Sequence, residues 1–176
     1  DICFVPDGDY GKFIEGYCER TGKEEEGGKF SPFEPGDFVT EDGKVLGHHK
    51  GIIHYTIGQR RGLGIPAASR LYVCEISPKT NTVVLGDNAD LFSSELEADS
   101  VNLISVDCLA EPKRVTAKIR YRHKEQPATA WQTPDGILHV KFDEPQRAIT
   151  KGQAVVMYDG DEVVGGGVIN KIYSQS

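Results

Sequence analysis

No stretch of this 176-residue sequence approaches the roughly 18 consecutive apolar residues that a membrane span requires. The N-terminus also lacks a basic region followed by an apolar run, so no signal peptide is visible. Because the first residue is Asp1 and not Met, we expect a piece of a longer protein, from which a targeting segment could be missing. With no visible signal, the expected location is the cytoplasm, without a membrane partner.

The sequence also lacks a CxxC pair, and its cysteines are widely scattered. They are Cys3, Cys18, Cys74 and Cys108. A structural zinc usually takes two ligands from residues close in sequence, so we expect free thiols and no zinc. His48 and His49 are adjacent and would point to opposite faces of a strand, which makes a joint metal site unexpected.

The net charge of −7 argues against a protein that binds nucleic acid over its whole surface. The charge is unevenly distributed, because residues 37–70 carry three acids and five bases, and residues 113–151 carry four acids and nine bases. If folding gathers these bases on one surface, a polyanion could bind there. A mixed, solvated surface is the alternative.

Twenty glycines and frequent Val, Ile and Thr favour short strands joined by tight turns. Apolar spacing in DGDYGKFIEGYCER predicts a short helix that Asp7 or Asp9 could cap, followed by a polar linker. Two hairpins are predicted next, the first around an Asp42–Gly43 turn and the second in LYVCEISPKTNTVVLG. Between them, a short helix or turn should precede a Gly-rich loop.

From Lys113 onward the pattern is almost entirely β, with Asp135–Gly136 and Asp159–Gly160 as turn dipeptides. Six or so short antiparallel strands predict a small closed barrel, with Trp131 in its core and VVGGGVI as a strand that allows close packing. The predicted fold is therefore mostly β. Its expected parts are 1–36 (a cysteine-containing segment, the helix and a linker), 37–110 (a small central β-rich domain) and 111–176 (a C-terminal barrel).

The surroundings of Cys3 support two interpretations. Near a helix start, its thiolate would be stabilised by the helix dipole and could react at neutral pH. The apolar neighbours in DICFV and the acids that follow instead favour a buried, inert cysteine, which is the better interpretation on residue chemistry alone.

Two basic motifs could bind RNA. In HHKGIIHYTIGQRRGLGI, basic side chains stand among glycines, and arginine forks suit phosphate oxygens, although no Walker pattern is present. In AKIRYRHK, Arg120 and Arg122 would share one strand face with Tyr121 on the other, which fits backbone contact and base stacking. A barrel strand with a solvated basic face is the alternative for the second motif.

Five segments together closely resemble the C-terminal half of the tRNA-specific 2-thiouridylases, the MnmA/TrmU family. They are DICFVPDGDY, PGDFVTEDGKVLGHHKGIIHYTIGQRRGLGI, LYVCEISPKTNTVVLGD, AKIRYR and FDEPQRAITKGQAVVMYDGDEVVGGGVI. The likeness runs nearly end to end and in order, and only the acidic linker and residues 91–109 match poorly. It implies a central β-rich domain and a C-terminal barrel like those of translation factors.

The resemblance also implies an enzyme, a transferase that inserts sulfur at C2 of the wobble uridine of tRNA. ATP and Mg²⁺ would act in an N-terminal ATP-pyrophosphatase domain, whose SGGxDS motif is absent from this sequence. A persulfide on Cys3, loaded by a sulfur-relay donor protein, would deliver the sulfur, and a cysteine of the missing domain would then form a disulfide with Cys3. This chain alone should therefore be inactive and hold no cofactor.

For tRNA contact, the resemblance carries over to Arg120, Tyr121 and Gln153. Lys50, Gln59 and Arg60 are our own additions, and these three could instead order the active-site segment against the missing domain. The rival function is a non-catalytic RNA-binding or translation-factor-like barrel in which Cys3 is inert.

Overall fold

A computed structural model describes residues 10–21, 31–66, 69–121 and 123–173. The chain divides into two compact units, residues 1–88 and 89–176. None of the helices in the described ranges is long and apolar enough to cross a membrane.

The predicted short helix is present as α1, Tyr10–Thr21. Arg20 lies in its last turn, where a positive charge suits the helix dipole. Phe13 and Tyr17, on the predicted apolar face, remain 39% and 47% exposed. Asp7 and Asp9, the predicted caps, lie outside the described residues.

A four-stranded sheet with the order β2–β1–β4–β3 forms the first unit. The strands are β1 (Gly36–Val39), β2 (Val45–His49), β3 (Tyr72–Ser77) and β4 (Thr82–Gly86). Both predicted hairpins are confirmed as the antiparallel pairs β1–β2 and β3–β4, and a parallel contact between β1 and β4 joins them. Gly43 has the expected positive φ, 83°, at the first turn.

The core of the first unit combines the sheet with the connection between β2 and β3. Phe38 and Val83 from the sheet pack with Tyr55 and Leu63 from that connection. The connection begins with a short 3-10 helix, Ile52–His54, and continues as a glycine-containing loop, as predicted.

His49 is buried in this unit, and both of its ring nitrogens are bonded. Nδ1 accepts a hydrogen bond from the Gly51 amide at 3.1 Å, and Nε2 donates to the Asn81 carbonyl at 3.1 Å. This arrangement requires a neutral ring, and burial lowers the pKa of His49 accordingly. His48 points the other way, to Asp37 at 2.7 Å, so the prediction that the two histidines diverge is confirmed.

The second unit is a closed antiparallel barrel with the strand order β10–β5–β8–β7–β6–β9. Its strands are β5 (Phe92–Leu103), β6 (Lys113–Lys118), β7 (Gln126–Gln132), β8 (Leu138–Arg147), β9 (Ala154–Asp159) and β10 (Glu162–Tyr173). The predicted closed antiparallel barrel is confirmed, although only five of its six strands lie in the region from Lys113 onward where about six were expected. Its interior combines small residues such as Ala128 and Ala130 with larger ones such as Val140 and Met157.

Strand β5 belongs to the barrel, although the sequence analysis assigned its residues to the central domain. It pairs with β8 on one side and with β10 on the other. The structure therefore divides the chain between Asn88 and Ala89, upstream of the expected boundary at 110/111. Leu96 and Ala98 point into the core, while Glu95 and Glu97 alternate with them on the outer face.

The glycine run in β10 lies where the strand contacts both of its neighbours. A Cβ on Gly166 would lie 2.2 Å from the Val155 carbonyl oxygen, and one on Gly167 would lie 2.7 Å from the Asp99 carbonyl oxygen. The predicted close packing is confirmed, because side chains at these positions would collide with β9 and β5.

Trp131 is not in the core, so that prediction was wrong. It lies on the outer face of β7, half-buried, and stacks on His139 with ring centroids 5.1 Å apart and planes 11° apart. The inward positions of this strand belong to Ala128 and Ala130, and period-two alternation turns Trp131 outward.

Candidate nucleic-acid interface

The first candidate surface lies on the barrel, where the segment after β6 meets the turn between β8 and β9. The sequence analysis placed Arg120 and Tyr121 on a strand, which is wrong, because β6 ends at Lys118 and the chain bends over the next residues. The bend leaves Tyr121 92% exposed. Arg122, the other predicted member of this motif, lies outside the described residues.

Arg120 joins these two segments. Its guanidinium donates hydrogen bonds to the Ala148 carbonyl and, at 3.1 Å, to the Thr150 hydroxyl. Ala148 has a positive φ of 55°, so Arg120 bonds to the carbonyl of a residue in an unfavourable backbone conformation. Burial and the nearby charge of Arg147 both lower the pKa of Arg120. Half-buried and bonded to the turn, Arg120 supports this surface from within.

Exposed Tyr121 and half-buried Lys118 form the outer part of the same surface. The Lys118 ammonium lies 6.0 Å from the centroid of the Tyr121 ring, the outer limit of a cation–π contact. An exposed aromatic ring beside a lysine can stack on a base while the ammonium meets a phosphate.

Gln153 lies on the turn that Arg120 supports. Its amide donates to the Thr150 carbonyl at 3.3 Å, and its own carbonyl accepts from the Ile169 amide at 2.8 Å. These bonds fix the backbone, and the side chain is exposed beside exposed Lys151. The resemblance implied three tRNA-contact residues. Two of them, Arg120 and Tyr121, lie in the segment after β6, and Gln153 lies on the turn to which Arg120 is bonded.

In the first unit, Gln59 is engaged within its own loop. Its Oε1 accepts from the Thr56 amide at 3.0 Å, and its Nε2 donates to the Arg61 carbonyl at 3.0 Å. Its carbonyl also accepts from the Val73 amide at 2.9 Å. Of the three added candidates, Gln59 thus orders the loop, while Lys50 and Arg60 are exposed.

Arg60 and Arg70 line a cavity of about 270 Å³. The two arginines flank the glycine-containing loop in the sequence, Arg60 before it and Arg70 after it. Gly62, Leu63 and Ser69 also line it. Arg70 was not among the residues predicted from the sequence, and the structure places it on the cavity that Arg60 lines. The signal that could have found it is the pair of basic residues flanking a glycine-rich loop.

The predicted catalytic residue, Cys3, lies outside the described residues, and so does the side chain of Cys18. Cys74 is half-buried, and Cys108 is exposed. In the parts of the chain that the structure describes, no group of three His, Cys, Asp or Glu side chains could hold a metal ion.

Two family models match the chain, one on each unit. A tRNA methyl transferase PRC-barrel domain matches residues 28–87, and an aminomethyltransferase β-barrel domain matches residues 93–169.

Curated relatives align along almost the whole chain. The tRNA-specific 2-thiouridylase MnmA of Acetivibrio thermocellus is 54% identical over 169 residues, and that of Clostridioides difficile is 52% identical over 171 residues. The corresponding protein of Koribacter versatilis is 49% identical over 169 residues. These alignments cover 96–97% of the chain but only 44% of each relative, so the chain spans less than half of their length.

The fold and the two family matches define the class as proteins that join a PRC-barrel domain to an aminomethyltransferase-type β-barrel. The chain belongs to the tRNA-specific 2-thiouridylase family, and it corresponds to the C-terminal part of its members.

Proposed function

We propose that this chain is the C-terminal part of an enzyme that exchanges oxygen for sulfur at C2 of the wobble uridine of tRNA. The observation that carries the proposal is the identity of 49–54% to relatives named tRNA-specific 2-thiouridylase along nearly the whole chain. The barrel surface formed by the Arg120 and Gln153 segments supports it, because basic and aromatic side chains there suit RNA.

In this proposal Cys3 carries the transferable sulfur as a persulfide. The terminal sulfur would bond to C2 of the uridine after ATP had adenylated the C2 oxygen in the domain outside this chain, and that oxygen would leave as part of AMP. A second cysteine outside this chain then attacks the sulfur of Cys3, which breaks the S–S bond, leaves the terminal sulfur on the base and forms a disulfide. The apolar neighbours Ile2, Phe4 and Val5 would shield the persulfide from water and stray thiols.

The proposal assigns ATP and Mg²⁺ to residues other than these, because the SGGxDS motif of the ATP-pyrophosphatase domain is absent from the sequence. In the proposal they act in a nucleotide domain outside these 176 residues, and the chain by itself has no thiolation activity. Its own contribution is the thiol of Cys3 and the surfaces that hold tRNA.

The barrel holds the tRNA through Tyr121 and Gln153, with Arg120 as a charged support behind them. Tyr121 offers a ring for stacking, and Gln153 offers amide hydrogen bonds from a fixed turn. Lys50 and Arg60 would add phosphate contacts from the first unit. The target uridine has to leave its stack to reach Cys3.

The sulfur-carrier role is tested by loading the chain with sulfur. After incubation with a cysteine desulfurase and cysteine, peptide mass spectrometry should find one added sulfur atom on Cys3. Cys3→Ser should remove this signal, whereas Cys108→Ser, which removes an exposed cysteine, should leave it unchanged. If the peptide that contains Cys3 carries no added sulfur, or if Cys108 gains sulfur to the same extent, the result supports the rival function of a non-catalytic RNA-binding barrel.

A further inference from the structure

We propose that the cavity between Arg60 and Arg70 binds one backbone phosphate of tRNA, with both guanidinium groups on the same phosphate. The inference rests on the proposed tRNA function, and it assigns a role to Arg70. All the described residues that line the site belong to the first unit.

The two arginines have guanidinium groups available for a ligand. Both are exposed, and neither forms a side-chain hydrogen bond or ion pair with another residue of the described ranges. Arg114 offers a contrast, since Asp143 holds its guanidinium with bonds of 2.8 and 2.7 Å. Arg60 and Arg70 line one cavity, and no acidic residue is among its described lining residues, so a bound anion would offset the repulsion between their like charges.

The part of the loop from Gln59 to Leu63 is held in place before any ligand binds. Leu63 is only 9% exposed and packs into the core of the first unit. Gln59 fixes the other end through its bonds to Thr56 and Arg61. A site that is already ordered loses less conformational entropy when it binds its ligand.

Glycines keep the cavity open to a backbone phosphate. Gly62 and Gly64 flank Leu63 with φ values of 77° and 68°, a conformation that other residues rarely adopt. A Cβ on Gly64 would meet no atom within 4 Å, so this side of the loop faces open space. The Ser69 hydroxyl lines the same cavity and can donate to a phosphate oxygen.

The lining favours a phosphate as the ligand, because Arg60, Arg70 and Ser69 offer donors to phosphate oxygens. A phosphodiester that enters from a bound RNA needs to place only its two free oxygens between the arginines. A free nucleotide or inorganic phosphate presents the same chemistry, and the experiment has to separate these sources.

The test measures tRNA binding by the 176-residue chain over a range of salt concentrations. Arg60→Gln and Arg70→Gln should each weaken binding by about tenfold, because each removes a charge-assisted contact. The double variant should lower the slope of log K against log salt by about 1, the value for one phosphate. A change of about 2 would mean two separate phosphates and would overturn the shared site.

Arg61→Gln is the matched control. Arg61 lies beside Arg60, is exposed and loses the same charge, but it does not line the cavity. We expect this variant to bind tRNA within about twofold of the unmodified chain. If Arg61→Gln and Arg70→Gln weaken binding equally, general electrostatic attraction explains both and the cavity proposal fails.

Side-chain NMR of ¹⁵N-labelled arginine separates the sources of phosphate. The Nε signals of Arg60 and Arg70 should shift with tRNA, and they should respond only at much higher concentrations to ATP or inorganic phosphate. A response to ATP without one to tRNA would overturn the assignment to RNA. If Arg70→Gln binds tRNA normally, only the proposal of a phosphate site in the cavity is overturned. If the unmodified chain shows no salt-dependent tRNA binding, both this proposal and the proposed function are overturned.

Discussion

Gly166 lies in β10 where the backbones of β9 and β10 are paired, and a Cβ there would approach the Val155 carbonyl oxygen to 2.2 Å. The oxygen belongs to the paired backbone, so it cannot move without disturbing the ladder. A side chain at this position would therefore force the backbones of β9 and β10 to shift.

Gly166→Ala should lower the free energy of unfolding by about 1–3 kcal/mol or more, because the added Cβ overpacks a closed sheet. Urea denaturation followed by circular dichroism measures the change. Val168→Ala, at a 38% exposed position of the same strand, is the control and should cost less. Equal losses in the two variants would contradict the close approach.

Two neighbouring residues of the barrel surface have different roles, since Arg120 supports the turn and Tyr121 is available to contact RNA. Arg120 bonds to the Ala148 carbonyl and the Thr150 hydroxyl, whereas Tyr121 extends into solvent. Removal of either residue should weaken RNA binding, but only the loss of Arg120 should also affect folding. The two roles can therefore be separated experimentally.

Tyr121→Ala should leave the melting temperature unchanged and weaken tRNA binding by about 1–3 kcal/mol, the usual value of a stacked base. Tyr121→Phe should restore the affinity, because it keeps the ring. Arg120→Lys should weaken binding and also lower the melting temperature, since an ammonium cannot reproduce the fork. Thermal denaturation and fluorescence anisotropy give both readouts, and full affinity in Tyr121→Ala would exclude stacking.

Elements with strong local patterns could be predicted from the sequence. The Asp42–Gly43 turn between two β-prone runs identified the first hairpin, and apolar spacing identified α1. Strand β5 was harder to assign, because its many acidic residues obscured the alternation with Leu96 and Ala98. The end of β6 before Arg120 carries no turn residue, so the strand was predicted to continue.

The turn support could not be predicted, because Arg120 meets Ala148 across the barrel fold. The cavity is lined by residues close in sequence, between Arg60 and Leu71, but the sequence pattern alone does not show that Arg60 and Arg70 line the same cavity. The resemblance still identified Arg120, Tyr121 and Gln153 as candidates. It contained no information on which of them supports the turn and which is exposed.

The whole chain consists of two units with separate cores. The two family matches, residues 28–87 and 93–169, fall on either side of the division at Asn88 and Ala89. The barrel is complete only with β5, which lies between β8 and β10. The second unit should therefore fold as residues 89–176.

Residues 89–176 alone should give a cooperative unfolding transition and well-dispersed NMR signals. Residues 111–176, which match the domain expected from sequence, lack β5 and would leave two open strand edges. We expect this shorter piece to be unfolded or to aggregate. A folded 111–176 piece would show that β5 is dispensable for closing the barrel.

The parallel contact between β1 and β4 has a kinetic consequence. Phe38 pairs with Val83, so the sheet of the first unit is completed by partners far apart along the chain. Each hairpin can form early from local contacts, but β1 can pair with β4 only after the connection between β2 and β3 has brought the two hairpins together. The loop that carries Arg60 and Arg70 is part of this connection. We therefore expect this loop to become ordered in the same step that completes the sheet, which should be the slowest step of its assembly.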